Sequence, residues 1–247
     1  MMSRLQASWD ARAAANFMLG GAGSGLIALS PFVGHTYSVL LGAVLIALGL
    51  AAVWLEIGRK LRAIHVFFNP FTSWMTRESF AAVLVFASGV SFLAFQQKIL
   101  LYVAAIAALA FLYCQARILR AAKGIPAWRA PEVVPLILFT GLVEGAGLGL
   151  FFSSDGELLT LFAAAILVRG FAWHRYRAAV RSPALELPGK ALVWAGTVLP
   201  LALLLLAGPV AGVLAVATGG WLKLALVTRA SFNQGFALPH LPVRGAR

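Results

Sequence analysis

Two glutamates, Glu56 and Glu78, lie near the ends of the longest polar break in the sequence, which runs from Trp54 to Phe80. Carboxyl groups can accept and release protons, and the same break contains His65 and Arg77. A glutamate in the first turn of a helix is also favoured by the helix dipole, so Arg77 and Glu78 have a simpler interpretation as a charged helix start. The polar break is therefore a candidate site of proton transfer, and the alternative for Arg77 and Glu78 is an ordinary charged helix start.

The sequence around this break is that of an integral membrane protein. It is 61% hydrophobic and 11% charged, whereas soluble proteins carry roughly 25% charged residues. Each apolar segment approaches or exceeds the length that crosses a bilayer, and the segments lack the alternation of a membrane barrel. We predict an all-α membrane protein with eight transmembrane helices in one polytopic domain (residues 1–247), and clustered glycines in the first and fifth spans suggest two four-helix bundles. The approximate spans are 13–30, 37–57, 79–95, 99–116, 131–152, 156–173, 187–207 and 209–228.

The basic residues are distributed asymmetrically along these spans. Of the 20 Lys and Arg residues, all but Lys98 fall in the two tails, in the three longer connections or near the adjoining span ends. By the positive-inside rule, both termini and the long loops are predicted to be cytoplasmic in a bacterial inner membrane. The net charge of +12 then reflects topology, and we do not expect nucleic-acid binding.

The histidines and the cysteine argue against several cofactors. A haem in a helical bundle normally needs facing histidines within spans, but His35, His65, His174 and His240 fall in loops, at a span end or in the tail. Cys114 is the sole cysteine, so the chain cannot supply the thiolates of an iron–sulfur cluster. No metal-ligand motif and no nucleophile with a suitable base is present, so we assign no metal site and no catalytic residue.

Two charged residues within spans need a separate explanation, because burying a charge in a membrane is costly. Glu144 lies deep in the fifth predicted span, and Arg169 lies at a comparable distance along the sixth, which runs antiparallel to it. The two form either a structural ion pair or a site with a proton-conducting carboxylate. Both interpretations predict that Glu144 faces protein rather than lipid.

The predicted topology places four polar residues at the cytoplasmic ends of the first, third and fourth spans. These residues are Asn16, Arg77, Glu78 and Tyr113. Reduction of a quinone needs a hydrogen-bond donor to each carbonyl oxygen and a supply of protons. We therefore expect these four side chains to converge on a quinone head group. The tryptophans Trp54, Trp74, Trp128 and Trp173 are expected to lie at the membrane interface.

Three segments resemble a known family. The run Ile57–Phe80, IGRKLRAIHVFFNPFTSWMTRESF, resembles the second-to-third-span loop of dimethyl sulfoxide reductase and polysulfide reductase (NrfD-like) membrane anchors. In those anchors a His-Leu-Gly-x-x-x-Arg-Ala segment leads to Ser-x-x-(Arg/Asn)-Glu. Residues 113–138, with Pro126 and Trp128, resemble the family's next long connection, and residues 229–239 resemble its tail.

This resemblance implies a haem-free anchor of a molybdopterin oxidoreductase complex. Such an anchor binds quinone, either menaquinone or ubiquinone, and docks a ferredoxin-like four-cluster iron–sulfur subunit that exchanges electrons with a molybdopterin catalytic subunit. Glu78 matches the acid at the start of the family's third span, and Gly58 and Arg62 match the loop. Glu56 stands where many relatives carry a histidine, so proton handling falls either to this carboxylate or to His65.

The partner subunit is expected to dock on the basic cytoplasmic surface, through Arg59, Arg62, Arg117 and Trp128. A cytoplasmic docking face suits a substrate such as a coenzyme A thioester, and the tail resembles anchors of the phenylacetyl-CoA oxidoreductase type. The main alternative is a secondary transporter or permease, which Glu144, Arg169 and the glycine-rich spans would suit. A third interpretation, a structural assembly factor, predicts no binding of quinone analogues.

Overall fold

The computed structural model describes residues 4–6, 9–57 and 60–233, which are almost entirely helical. The longer helices are α1 (Ala11–Val33), α2 (Thr36–Glu56), α3 (Trp74–Phe95), α4 (Lys98–Ala121), α6 (Val133–Gly149), α7 (Gly156–Ala179) and α10 (Gly208–Thr228). Shorter helices are α5 (Pro126–Arg129), α8 (Glu186–Val193) and α9 (Leu199–Leu203), together with 3₁₀ segments at Lys60–Phe68 and Pro183–Leu185. Two short strands, β1 (Arg4–Leu5) and β2 (Phe232–Asn233), form an antiparallel pair.

The membrane character of the sequence is confirmed, but the count of eight spans is not. Within the described residues, six helices are long and apolar enough to cross a bilayer, namely α1, α2, α3, α4, α7 and α10. Helix α6 is apolar but has only 17 residues. The seventh predicted span is divided into α8 and α9 by a π-helical turn at Trp194–Val198. The protein is therefore an all-α chain with multi-pass membrane character.

Several predicted boundaries shift in the structure. Helix α3 begins at Trp74 rather than at residue 79, because Ser73 caps it by accepting a hydrogen bond from the Thr76 backbone N–H. Glu78 consequently lies in the second turn of the helix instead of at its start. Helix α4 continues five residues beyond the predicted end at 116, to Ala121.

The helix ends are divided between two faces. On one face, the β1–β2 pair joins residues 4–5 to residues 232–233, and the Trp128 indole donates a 2.8 Å hydrogen bond to the Leu226 carbonyl. On the other face, the connection after α1 meets the connection after α6, where the centroids of the His35 and Phe152 rings are 5.4 Å apart. We call these the terminal face and the short-loop face. This arrangement agrees with the alternation predicted from the sequence, in which long basic connections and short connections lie on opposite sides.

Helix α6 is central because glycines let neighbouring backbones touch it. A Cβ on Gly25 of α1 would collide with the carbonyl of Gly141, and one on Gly145 would collide with the backbone of Gly25. A Cβ on Gly212 of α10 would collide with the carbonyl of Gly147. Helices in lipid approach most closely where small residues meet, so these glycines bring α1 and α10 against opposite parts of α6.

Candidate functional site

A buried carboxyl–amide pair joins helices α1 and α3. Glu78 is only 6% exposed, and its Oε1 accepts a 3.2 Å hydrogen bond from Asn16 Nδ2. Asn16 begins a π-helical turn, Asn16–Gly20, and its backbone carbonyl accepts a second bond from Gln115 Nε2 at 3.0 Å. Single π turns within helices are often found at functional sites. Helices α1, α3 and α4 are thus linked by polar contacts within the otherwise apolar packing.

Glu78 and Asn16 lie in the wall of a cavity of about 730 Å³ between α1, α2 and α3 on the terminal face. This volume falls within the range of small-molecule sites, roughly 300–1,000 Å³. Glu56, at the end of α2, brings a second carboxyl group to the same cavity. The rest of the lining is mainly apolar and aromatic, with Trp9, Phe17, Trp54, Phe67 and Phe86 among the ring-bearing residues. Such a cavity can hold a planar apolar molecule, and the carboxyl groups of Glu56 and Glu78 can exchange protons with that molecule.

The structure brings together Asn16, Glu56 and Glu78 of the predicted site but places Arg77 elsewhere. Arg77 donates hydrogen bonds to the carbonyls of Pro70 (2.8 Å) and Phe71 (2.6 Å), and its guanidinium lies 4.2 Å from the Trp74 ring centroid. Arg77 and Glu78 are consecutive in a helix, so their side chains point in directions about 100° apart. The structure therefore does not bring Arg77 together with Glu78, and Arg77 holds the preceding loop instead.

Tyr113 and His65 also lie outside the lining of this cavity. The Tyr113 hydroxyl accepts a 2.6 Å hydrogen bond from Arg117, and its ring packs edge-on against Trp74. His65 is exposed, with Nδ1 3.1 Å from the Arg62 carbonyl. Both belong to the surface around the loop rather than to the buried pair.

The four residues assigned to partner docking have different environments. Arg62 is exposed, and Arg117 lies with its guanidinium 4.2 Å from the centroid of the Trp74 ring. Arg59 lies outside the described residues. Trp128 is only 2% exposed and stacks on Trp9 at 4.9 Å, so it cannot present a docking surface.

Two of the four expected interfacial tryptophans are instead part of the protein core. Trp128 and Trp173 are 2% and 4% exposed, and both belong to the same cluster of buried apolar residues. Gly189 lies against the Trp173 ring, where a Cβ would collide with it. The indoles are buried because the connections on the terminal face fold over the helix ends and cover them.

A second buried site is formed by charged residues of the fifth and eighth predicted spans. Lys223 of α10 pairs with Glu144 of α6, with Nζ and Oε2 2.5 Å apart and both side chains at most 1% exposed. Arg169 is fully buried nearby, but it donates to the backbone carbonyls of Ala215 and Gly196. The predicted Glu144–Arg169 ion pair is therefore replaced by Glu144–Lys223, because α10 and not α7 presents its cation to this carboxylate. The expectation that Glu144 faces protein is confirmed.

Glycines make room for this pair. A Cβ on Gly219 would lie 2.6 Å from Glu144 Oε1, and one on Gly21 would collide with the Lys223 ammonium group. Among the described residues, Glu144 Oε1 and Arg169 Nε have no hydrogen-bond partner. Two cations and one carboxylate therefore share a region from which solvent is excluded.

The two buried sites are neighbours. Gly21 lies between them, because a Cβ on this residue would collide with the Lys223 ammonium group and would lie 3.5 Å from Gln115 Oε1. Gln115 in turn donates to Asn16, which donates to Glu78. Polar groups thus extend from the cavity wall toward the Glu144–Lys223 pair. Gln115 and Lys223 were the residues missed by sequence analysis, and the available signal was their position within apolar spans.

Within residues 4–6, 9–57 and 60–233, no group of three or more His, Cys, Asp and Glu side chains is arranged to hold a metal ion.

Comparison with known proteins adds no family to this description, since no protein-family model and no curated protein sequence matches the chain.

Proposed function

We propose that the chain is the haem-free membrane anchor of a multisubunit molybdopterin oxidoreductase and exchanges electrons between a peripheral iron–sulfur subunit and membrane quinone. The observation that carries this proposal is the buried Glu78–Asn16 pair in the wall of an apolar, aromatic cavity of about 730 Å³. The sequence resemblance of residues 57–80 to known anchors supports the same assignment.

The proposed chemistry is the two-electron reduction of quinone to quinol or its reverse. Reduction takes two electrons from the partner's iron–sulfur clusters and adds one proton to each quinone oxygen. Glu78 supplies or receives one of these protons, and Asn16, which donates to Glu78 Oε1, orients that carboxyl group. Glu56 lines the same cavity and is the second proton-exchanging group of the proposal.

In this proposal the chain crosses a bacterial inner membrane eight times, with α6 as the fifth span and α8–α9 as the seventh. The terminal face is cytoplasmic and receives the ferredoxin-like four-cluster subunit, which in turn contacts the molybdopterin subunit. Arg62 and Arg117, on the surface near the loop at residues 60–73, are the proposed docking cations. Acidic groups on the partner would complement them.

Quinone binding is tested on the purified chain with a fluorescent hydroxyquinoline N-oxide, an analogue of quinone. We expect saturable quenching in the wild type and weaker binding in Glu78→Gln and Asn16→Leu. Glu157→Gln is the matched control, since Glu157 is an exposed acid at the short-loop end of α7. Equal affinity in all four proteins, or no binding to the wild type, would refute the quinone site.

The partners are tested separately by mild detergent extraction of the tagged chain from its native membrane. Co-purification of iron–sulfur and molybdenum subunits is expected. Isolation of the chain without clusters or molybdenum would count against the anchor.

A secondary transporter is the second candidate, favoured by the buried Glu144–Lys223–Arg169 cluster and by the π-helical break at Trp194–Val198. Transporters often bind substrates at interrupted helices within the membrane. This candidate predicts a chain that functions alone in proteoliposomes, with solute uptake that is lost when Glu144 is neutralised.

A further inference from the structure

A second cavity, of about 750 Å³, lies on the terminal face between the ends of α4 and α7 and the start of α6. Arg120 is the second-to-last residue of α4, Ala179 ends α7, and Glu132 directly precedes α6. All three positions are within one turn of a helix end. The cavity is therefore at the depth where a bilayer has its head groups.

The cavity is strongly cationic. Arg120, Lys123, Arg129 and Arg181 line it and are exposed. Glu132 is the single acid among the described lining residues, which together carry a formal charge of three positive units. Among the described residues, the four cations take part in none of the ion pairs. Their charge is thus available to an external anion.

The surface beside the cavity is apolar and continues into the membrane. Pro131 lines the cavity and is followed along one side of α6 by Pro135, Phe139 and Leu142, all of which are exposed or partly exposed. These residues recur at intervals of three or four, so they form one stripe on the helix. A ligand with a charged head and an apolar chain would match both the cavity and this stripe.

We propose that this cavity binds an anionic phospholipid, with the phosphate among the four cations and an acyl chain along the α6 stripe. Basic pockets between transmembrane helices are suited to anionic head groups. A soluble acidic protein would satisfy the cations but would leave the membrane-facing stripe unused. The proposal does not depend on the quinone site, since Glu78, Asn16 and Glu56 are absent from this cavity's lining.

The test measures lipid retention by the full-length chain in nanodiscs of about four parts phosphatidylcholine to one part phosphatidylglycerol. After release into the gas phase, native mass spectrometry counts the phosphatidylglycerol molecules that stay bound. We expect retention by the wild type and an affinity on the order of 30-fold weaker in Arg129→Gln/Arg181→Gln. Arg175→Gln/Lys190→Gln removes two exposed cations outside this cavity and is expected to behave as the wild type.

A charge-preserving variant, Arg129→Lys/Arg181→Lys, separates loss of charge from loss of fold and should retain the lipid. Equal loss in both glutamine pairs would overturn the proposal in favour of general surface attraction, and unchanged retention in both would overturn it outright. Release of the lipid by about 10 mM inorganic phosphate would indicate a site for free phosphate instead. Loss of a soluble partner from Arg129→Gln/Arg181→Gln with lipid retention intact would reassign the cavity to protein docking.

Discussion

Breaking the Glu144–Lys223 pair from either side should destabilise the protein strongly, whereas neutralising both residues should not. The two side chains are at most 1% exposed, so Lys223→Met leaves a carboxylate without its partner in a region that excludes water. Removing one member of a buried pair typically costs about 3–5 kcal/mol. A neutral pair of similar volume is often as stable as the charged one.

The two single substitutions should differ because Arg169 is also buried near the pair. After Lys223→Met, the Glu144 carboxylate still has one nearby cation, so we expect a cost near 3 kcal/mol. After Glu144→Gln, Lys223 and Arg169 remain as two cations with no carboxylate, and we expect about 5 kcal/mol. The double variant Glu144→Gln/Lys223→Met leaves Arg169 as one buried cation, held by the Ala215 and Gly196 carbonyls, so it should cost less than either single substitution.

The assay is reversible unfolding in mixed micelles by added dodecyl sulfate, with helicity as the readout and a double-mutant cycle as the analysis. The surface pair Glu186–Lys190, separated by 3.7 Å and with side chains about 60% exposed, is the matched control. Its coupling should be below about 0.5 kcal/mol. Additive losses at Glu144 and Lys223, or single losses as small as those of the control, would refute the buried pair.

Three other predictions concern separate parts of the chain. Glu78→Gln should slow quinone-coupled turnover of the intact complex while leaving its turnover with a soluble dye unchanged; an unaltered quinone rate would remove Glu78 from the site. Gly25→Leu should prevent α1 from packing on α6, because even a Cβ at this position collides with the Gly141 carbonyl; a folded yield equal to wild type on size-exclusion chromatography would contradict that packing. Arg12 donates hydrogen bonds to the Asp10 carboxylate and holds the pKa of Asp10 below its usual value. Asp10 should therefore stabilise the start of α1 above its unfolded pKa and lose this effect as the pH falls through the lower folded value; in Asp10→Asn, amide exchange in the first turn of α1 should lose this acid dependence, and an unchanged dependence would exclude the cap.

The sequence alone determined the membrane character, the helical class and the alternation of connections between two faces. These properties depend only on the order of apolar and basic residues along the sequence, and no tertiary contact is needed to derive them. Lys98 illustrates this point, since its place in a short connection between two apolar runs can be read directly from the sequence. The count of spans does not follow from the sequence in the same way, because the 17-residue length of α6 and the break between α8 and α9 depend on how their neighbours pack.

The tertiary structure decided which polar side chains meet. Glu144 could have faced either neighbouring helix, and the pairing with Lys223 follows from the glycine contacts that bring α10 against α6. Tryptophan is a residue type typical of the membrane interface, but neighbouring segments of the folded chain cover Trp128 and bury its indole. Which face a side chain presents is set by the rotation of its helix in the bundle, and contacts between residues far apart in sequence fix that rotation.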